Sequence, residues 1–305
     1  MIDNFYTTLL ELQQKNIAFT IASVVKKQGH CPQIPGAKMI VTKDNDVFGT
    51  IGGGELELLA IQKINNILIE LPHKKIISFT KEYILSEDNK DISEYQNDSC
   101  VQTNMMCGGK ITIFYDIHYP KEYVYIFGGG HVGSSIWYHI SKLDFNVKII
   151  DSRVADDIIG IPEELLKVKD NVFICSDYNE KMLRDINFMS NAYFIIVTHS
   201  HETDFLVLKY LYDIGLKLEP KYIGVIASKS KSESILKRLV REDNNVNKEF
   251  ISRIYCPIGL KIGGAAPSEI ALSIISELQV IKYNKTVDCK VVHHTKDWIN
   301  TLNLN

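Results

Sequence analysis

Residues 123–133 constrain this chain more than any other stretch. The apolar run Tyr123-Val124-Tyr125-Ile126-Phe127 leads straight into Gly128-Gly129-Gly130-His131-Val132-Gly133, a Gly-x-Gly-x-x-Gly pattern that opens a segment of helical apolar spacing. The reading is strand, tight turn, helix. Gly128 permits the turn, Gly130 lets backbone N–H groups approach a diphosphate, and Gly133 lets the helix pack close to the strand. Further on, Asn146-Val147-Lys148-Ile149-Ile150-Asp151 is a second short apolar run that closes on a carboxylate. That is the position from which a dinucleotide-binding unit meets a ribose hydroxyl.

A chain of 305 residues exceeds the usual single-domain size, so two domains are expected. The segment His118-Tyr119-Pro120-Lys121 marks the boundary. We expect an N-terminal mixed α/β domain over 1–118, a Rossmann-like doubly wound parallel-sheet domain over 119–284, and a polar tail over 285–305. The formal net charge of -3 and pI near 6.3 give no bulk attraction to nucleic acid or to an anionic membrane. No apolar run approaches the roughly 18 residues that span a bilayer. The start, Met1-Ile2-Asp3-Asn4-Phe5, lacks the basic segment and apolar stretch of a signal peptide, so a cytoplasmic location is expected. Six cysteines occur with no C-x-x-C pair, which argues against a structural zinc site and a disulfide scaffold.

Along the first domain, residues 5–14 have amphipathic helical spacing, and 19–25 and 37–42 are β-branched runs bounded by Gly and Pro. Val47-Phe48-Gly49-Thr50-Ile51 enters Gly52-Gly53-Gly54 and then a helical pattern from Glu55. This second strand–glycine–helix junction offers free amides to an anion, or else its glycines serve only a tight turn. Residues 86–99 are polar and suggest an exposed, mobile loop. Cys107, before Gly108-Gly109, is either a soft ligand for a metal centre or sulfur transfer, or a plain thiol. In the second domain, strands are expected at 171–175, 193–197, 222–226 and 254–256, with helices at 202–214, 230–241 and 267–282. That is the alternation of a parallel doubly wound sheet.

In such a sheet the ligand lies at the carboxyl ends of the strands. There Thr198-His199-Ser200-His201-Glu202-Thr203-Asp204 follows an apolar run and opens a helix. Its His-x-His-x-x-Asp spacing has three readings: metal ligation, ligand contact by His199 or His201, and a helix cap by Ser200 or Thr203 with Glu202 and Asp204 at the positive end.

The ordered segments Pro35-Gly36-Ala37-Lys38-Met39, Gly49-Thr50-Ile51-Gly52-Gly53-Gly54-Glu55, Cys107-Gly108-Gly109, Gly128-Gly129-Gly130-His131-Val132-Gly133, Thr198-His199-Ser200-His201, Gly224-Val225-Ile226-Ala227-Ser228 and Cys256-Pro257-Ile258-Gly259 resemble the xanthine dehydrogenase accessory protein family, the XdhC/CoxI group. The resemblance spans about residues 5–282. It implies a chaperone-like cytoplasmic assembly factor that binds molybdenum cofactor (molybdopterin) as cargo while a cysteine desulfurase exchanges an oxo ligand for sulfur. The cofactor then passes to a molybdenum hydroxylase apo-enzyme; a homodimer is expected. The phosphate of the pterin would use the amides of 128–133, and Cys107 would lie near the metal. Many members carry Cys-Cys-Gly-Gly where this chain has Met106-Cys107-Gly108-Gly109. The rival from the enzyme class is an NAD(P)-dependent oxidoreductase, with Asp151 on the ribose and His199 or His201 as proton donor. A nucleotide-sensing regulator is a third reading.

Overall fold

A computed structural model describes residues 2–69, 78–85, 100–103, 109–158, 160–242 and 247–285. Cys107, the expected loop at 86–99 and the tail beyond Lys285 lie outside the described residues. The chain divides after Pro120 into two units, Met1–Pro120 and Lys121–Asn305.

The first unit runs α1 (Ile2–Gln14), β1 (Phe19–Gln28), β2 (Lys38–Thr42), β3 (Val47–Gly49), α2 (Gly54–Ile69), β4 (Ser78–Leu85), β5 (Cys100–Thr103), β6 (Gly109–His118). Its sheet has the order β3-β2-β1-β6-β4-β5, antiparallel except for the β4–β5 pair. Burial along β6 alternates residue by residue, as a strand with one packed face requires. Ile111, Ile113, Tyr115 and Ile117 on that face meet Leu56, Ala60, Ile64, Ile67 and Leu68 of α2 in one core. Leu12 of α1 packs with Phe19 and Ile40 in a smaller cluster.

The second unit runs β7 (Glu122–Phe127), α3 (His131–Ile140), β8 (Phe145–Asp151), α4 (Glu163–Leu166), α5 (Lys169–Val172), β9 (Phe173–Cys175), α6 (Glu180–Arg184), β10 (Tyr193–Ile196), α7 (His201–Leu218), β11 (Tyr222–Val225), α8 (Lys229–Arg241), α9 (Lys248–Ser252), β12 (Ile254–Tyr255), α10 (Pro267–Lys282). Asn171 and Val172, expected in a strand, close the short helix α5 instead, and pairing with β8 begins only at Phe173. The sheet is parallel throughout, in the order β9-β8-β7-β10-β11-β12. This is the doubly wound arrangement in which the chain grows outward from β7, returns, and grows the other way from β10.

Alternate strand residues serve opposite faces, so each strand feeds two cores. Tyr125, Phe127, Phe194, Ile196, Ile223 and Val225 pack under α7 and α8, with Phe205, Leu208, Ile235 and Leu239. Val124, Ile126, Ile149, Tyr193, Ile195 and Tyr222 pack under α3 and α10, with Ile136, Trp137, Ile274 and Leu278. Each such large apolar side chain contributes about 1.5–3 kcal/mol relative to exposure, which holds the sheet's carboxyl edge as a fixed platform. The reversal of strand order falls between β7 and β10, and the loops leaving those two strands flank the crevice. Among the described residues no helix is long and apolar enough to cross a membrane.

Candidate functional site

The turn after β7 shows what each glycine is for. Gly128 has φ +106°, and a Cβ there would lie 2.4 Å from the carbonyl oxygen of Val197, so the β7 and β10 loops touch at this point. A Cβ on Gly129 would meet Phe173 at 2.9 Å, and one on Gly133 would lie 1.8 Å from the Gly128 carbonyl oxygen. Backbone atoms leave no room for a Cβ at 128 and 133, and at 129 the tips of packed side chains crowd it. Gly130 differs: a Cβ there has nothing within 4 Å, and its φ is an ordinary -63°. Fold packing does not demand a glycine at 130, whereas an approaching ligand would.

Gly130 is also the N-cap of α3, and no side chain caps that end. The hydroxyl of Ser134 donates to the carbonyls of Gly129 (2.6 Å) and Gly130 (2.9 Å), away from the amide end. His131 is exposed and Val132 half-buried. An uncapped helix start with a vacant Cβ cone beside it is the geometry that receives a phosphate or diphosphate.

Asp151 sits at the end of β8 as expected, but its carboxylate is spent. Oδ2 accepts from Gly129 N–H at 2.7 Å and from Arg153 Nη2 at 2.9 Å; Oδ1 accepts from Arg153 N–H at 3.0 Å and Nε at 2.9 Å. Burial alone would raise this carboxyl, but the Arg153 guanidinium and the two backbone N–H groups outweigh it and hold it below the ordinary carboxylate range. The expected contact from Asp151 to a ribose hydroxyl is therefore corrected: four N–H donors already fill the roughly four acceptor positions of a carboxylate.

On the β10 side, Thr198, Ser200 and Asp204 build the loop. Ser200 caps α7, its hydroxyl accepting from Thr203 N–H at 3.2 Å. Asp204 is buried, and Oδ1 accepts from the backbone N–H (3.0 Å) and hydroxyl (2.6 Å) of Thr198. Burial pushes the Asp204 carboxyl up despite the opposing bonds from Thr198 and the nearby His201 and His199. His199 and His201 are both exposed. His201 Nδ1 lies 3.8 Å from Asp204 Oδ2, and Lys231 Nζ of α8 lies 2.5 Å from His201 Nε2. The helix-cap reading of this segment holds. Among the described residues no three His, Cys, Asp or Glu side chains gather as a metal site.

The glycine loop of the first unit contains an anion of its own making. Gly52, Gly53 and Gly54 have φ of +132°, +74° and +61°. Glu57 Oε1 accepts from Ile51 N–H (3.1 Å) and Gly53 N–H (2.9 Å) and from the Thr50 hydroxyl. Burial works to raise the Glu57 carboxyl, but Thr50 and these amides win and lower it. Of the two readings of 52–54, an anion site and a tight turn, the first meets a carboxylate of the chain itself, because Glu57 already takes the Gly53 N–H. Beside it, Gly109 begins β6 packed against His30 and Cys31, whose thiol donates to the Lys110 carbonyl at 3.2 Å. Sequence reasoning overlooked Arg153, Glu57 and Lys231. The first two carried a legible signal, an Asp-x-Arg pair at a strand end and a carboxylate one turn into the helix.

Comparison with known protein families agrees with this geometry. Residues 124–278 match the family described as the XdhC Rossmann domain, and residues 12–73 match the XdhC and CoxI family. An uncharacterized protein, YqeB, of Escherichia coli (strain K12) is 24% identical over 285 residues, covering 92% of this chain and 47% of its own length. A probable xanthine dehydrogenase subunit from Bacillus subtilis (strain 168) is 26% identical over 159 residues, covering 52% of this chain and 42% of its own length. The chain thus spans less than half the length of these curated relatives. A crystal structure described as a xanthine dehydrogenase from Bacillus halodurans aligns over 94% of this chain and 99% of its own, at 19% identity and a TM-score of 0.45.

Proposed function

The chain belongs to the XdhC and CoxI family, and on that premise we propose that it is an accessory factor for a molybdenum hydroxylase of the xanthine dehydrogenase type. Its cargo is molybdenum cofactor, held while a cysteine desulfurase sulfurates it and then released to the apo-enzyme; the working form is a homodimer. The observation that carries the reading is the open Cβ cone of Gly130 at the uncapped start of α3, on the crevice where strand order reverses.

In this reading Gly128, Gly129 and Gly133 shape the turn, and the amides of Gly130, His131 and Val132 receive the pterin's phosphate. His199 and His201 line the opposite rim. Lys231, tied to His201, adds positive charge where an anion enters, and His201 does not serve as a free acid. Asp151 orients the loop through Gly129 N–H rather than gripping the cargo. Amides 52–54 enter only if Glu57 withdraws. The dehydrogenase reading loses support here, because Asp151, its ribose anchor, and His201, one of its two candidate acids, are both engaged elsewhere.

The test is maturation of an apo-hydroxylase in a cofactor-producing extract. Added protein should raise hydroxylase activity, and Gly130→Val, which fills the cone, should not. The protein alone should show no sustained reduction of NAD with alcohols or hydroxy acids; robust turnover without a partner would overturn the proposal.

A further inference from the structure

The carboxyl end of β8 presents chemistry that the cargo reading does not use. The four N–H donors on Asp151 leave a ribose diol no acceptor there. What reaches solvent instead is Arg153, whose side chain is 48% exposed. Only Nε and one N–H of Nη2 are committed to Asp151, out of the five donors a guanidinium carries, and it has no acceptor. The bidentate hold also fixes the plane of the guanidinium before any ligand arrives. Arg153 therefore brings unspent donors and positive charge to this end of the crevice, while the carboxylate of Asp151 is filled. Sugar hydroxyls must place their own protons and find no partner; a phosphate ester only accepts, and finds charge-assisted donors. The bond from Gly129 N–H to Asp151 ties this surface directly to the glycine turn, so the two subsites adjoin.

We propose that the crevice binds a nucleotide diphosphate whose ribose carries a phosphate ester, with the diphosphate over Gly130 and the ester on Arg153. The proposal rests on the crevice being an anion site, as above, but not on molybdenum. NADP+ and coenzyme A both present this chemistry, with the ester on different ribose oxygens. Such a ligand and the pterin phosphate would be alternatives for the same amides.

Calorimetric titration of the full chain with NAD+, NADP+ and coenzyme A tests it. At least one phosphorylated ligand should bind about tenfold or more tightly than NAD+, equivalent to about 1.4 kcal/mol. The advantage should shrink with added salt, and the tighter of the two identifies the ribose position. Arg153→Gln should abolish the preference, so that the variant binds the phosphorylated ligand no more tightly than it binds NAD+. If that variant does not fold, Arg153→Lys keeps the charge without the fork and should lose part of the preference. NAD+ binding as tightly as the best phosphorylated ligand, no binding of either, or a preference that survives Arg153→Gln would each overturn the proposal. A chain that lacks the preference yet captures pterin cofactor loses only this inference, whereas a preference without capture loses only the accessory role.

Discussion

Gly133→Ala isolates the steric logic of the β7–α3 turn. The added methyl would sit 1.8 Å from the Gly128 carbonyl oxygen and 3.0 Å from its carbon. An ordinary C···O contact is about 3.3 Å or more, so helix and turn must separate by about 1.5 Å. Both atoms belong to the backbone, and neither can rotate away. Overpacking of this kind costs typically 1–3 kcal/mol, and the upper end, about 3 kcal/mol, applies here. Alanine's better helix propensity offsets about 1 kcal/mol, leaving a net loss of about 2 kcal/mol. For a domain of this size that lowers Tm by about 4–8 °C. Gly130→Ala is the control: its methyl meets nothing within 4 Å, and it should cost under about 1 kcal/mol for the weaker N-cap. Buried Trp137, one turn along α3 from Gly133, reports the transition by fluorescence once the other tryptophan is removed as Trp298→Phe. If Gly133→Ala melts within about 1 °C of the parent, or Gly130→Ala loses more, the packing argument is refuted.

Three further outcomes follow from side-chain chemistry. Asp151, held below its ordinary value of 3.8, contributes stability that is full above that value and drains away as pH falls below it. Asp151→Asn should therefore cost about 1–3 kcal/mol at neutral pH, with the gap to the parent closing in acid-denaturation curves below about pH 4. Glu277 of α10 behaves with the opposite sign: burial raises its carboxyl despite bonds from the Tyr222 hydroxyl (2.6 Å) and Gly259 N–H (3.0 Å). Its favourable share is present in acid and lost as pH rises past 4.5. Glu277→Gln should then gain on the parent as urea midpoints are followed from pH 4.5 to 8, and a flat difference would contradict the assignment. Cys107→Ser, argued from the soft-ligand character of a thiolate, should lower molybdenum retained per protein in part and leave the melting curve unchanged; full retention would make Cys107 a structural thiol.

The steric signals were the legible ones. Gly128-Gly129-Gly130-His131-Val132-Gly133 announced strand, turn and helix because the pattern is contiguous and the closest contact, Gly133 against the Gly128 carbonyl, is local, and α10 could be bounded at Pro267 and Lys282 from apolar spacing and a proline at the helix start. β4 was missed because Lys81 and Glu82 interrupt its alternation, and its place beside β6 is set by pairing with residues about thirty positions away, such as Tyr83 with Ile111. Strand order in the second sheet is likewise a long-range outcome that local periodicity does not encode. At the site, Asp151 was located correctly and its role misjudged: position follows from the strand pattern, whereas the partner of a buried carboxylate is decided by what else lies within 3 Å. The same holds for Gly52, Gly53 and Gly54, whose conformation was legible and whose occupant, Glu57, was not.

Capture of cargo tests the central claim most directly. The protein and its Gly130→Val variant, each confirmed folded, are incubated in an extract that makes molybdenum cofactor, recovered gently, and analysed for molybdenum by elemental mass spectrometry and for pterin after release. The account predicts that the parent carries molybdenum and pterin together and that Gly130→Val carries neither. A parent that takes up no pterin, or a variant that takes up as much as the parent, would contradict it.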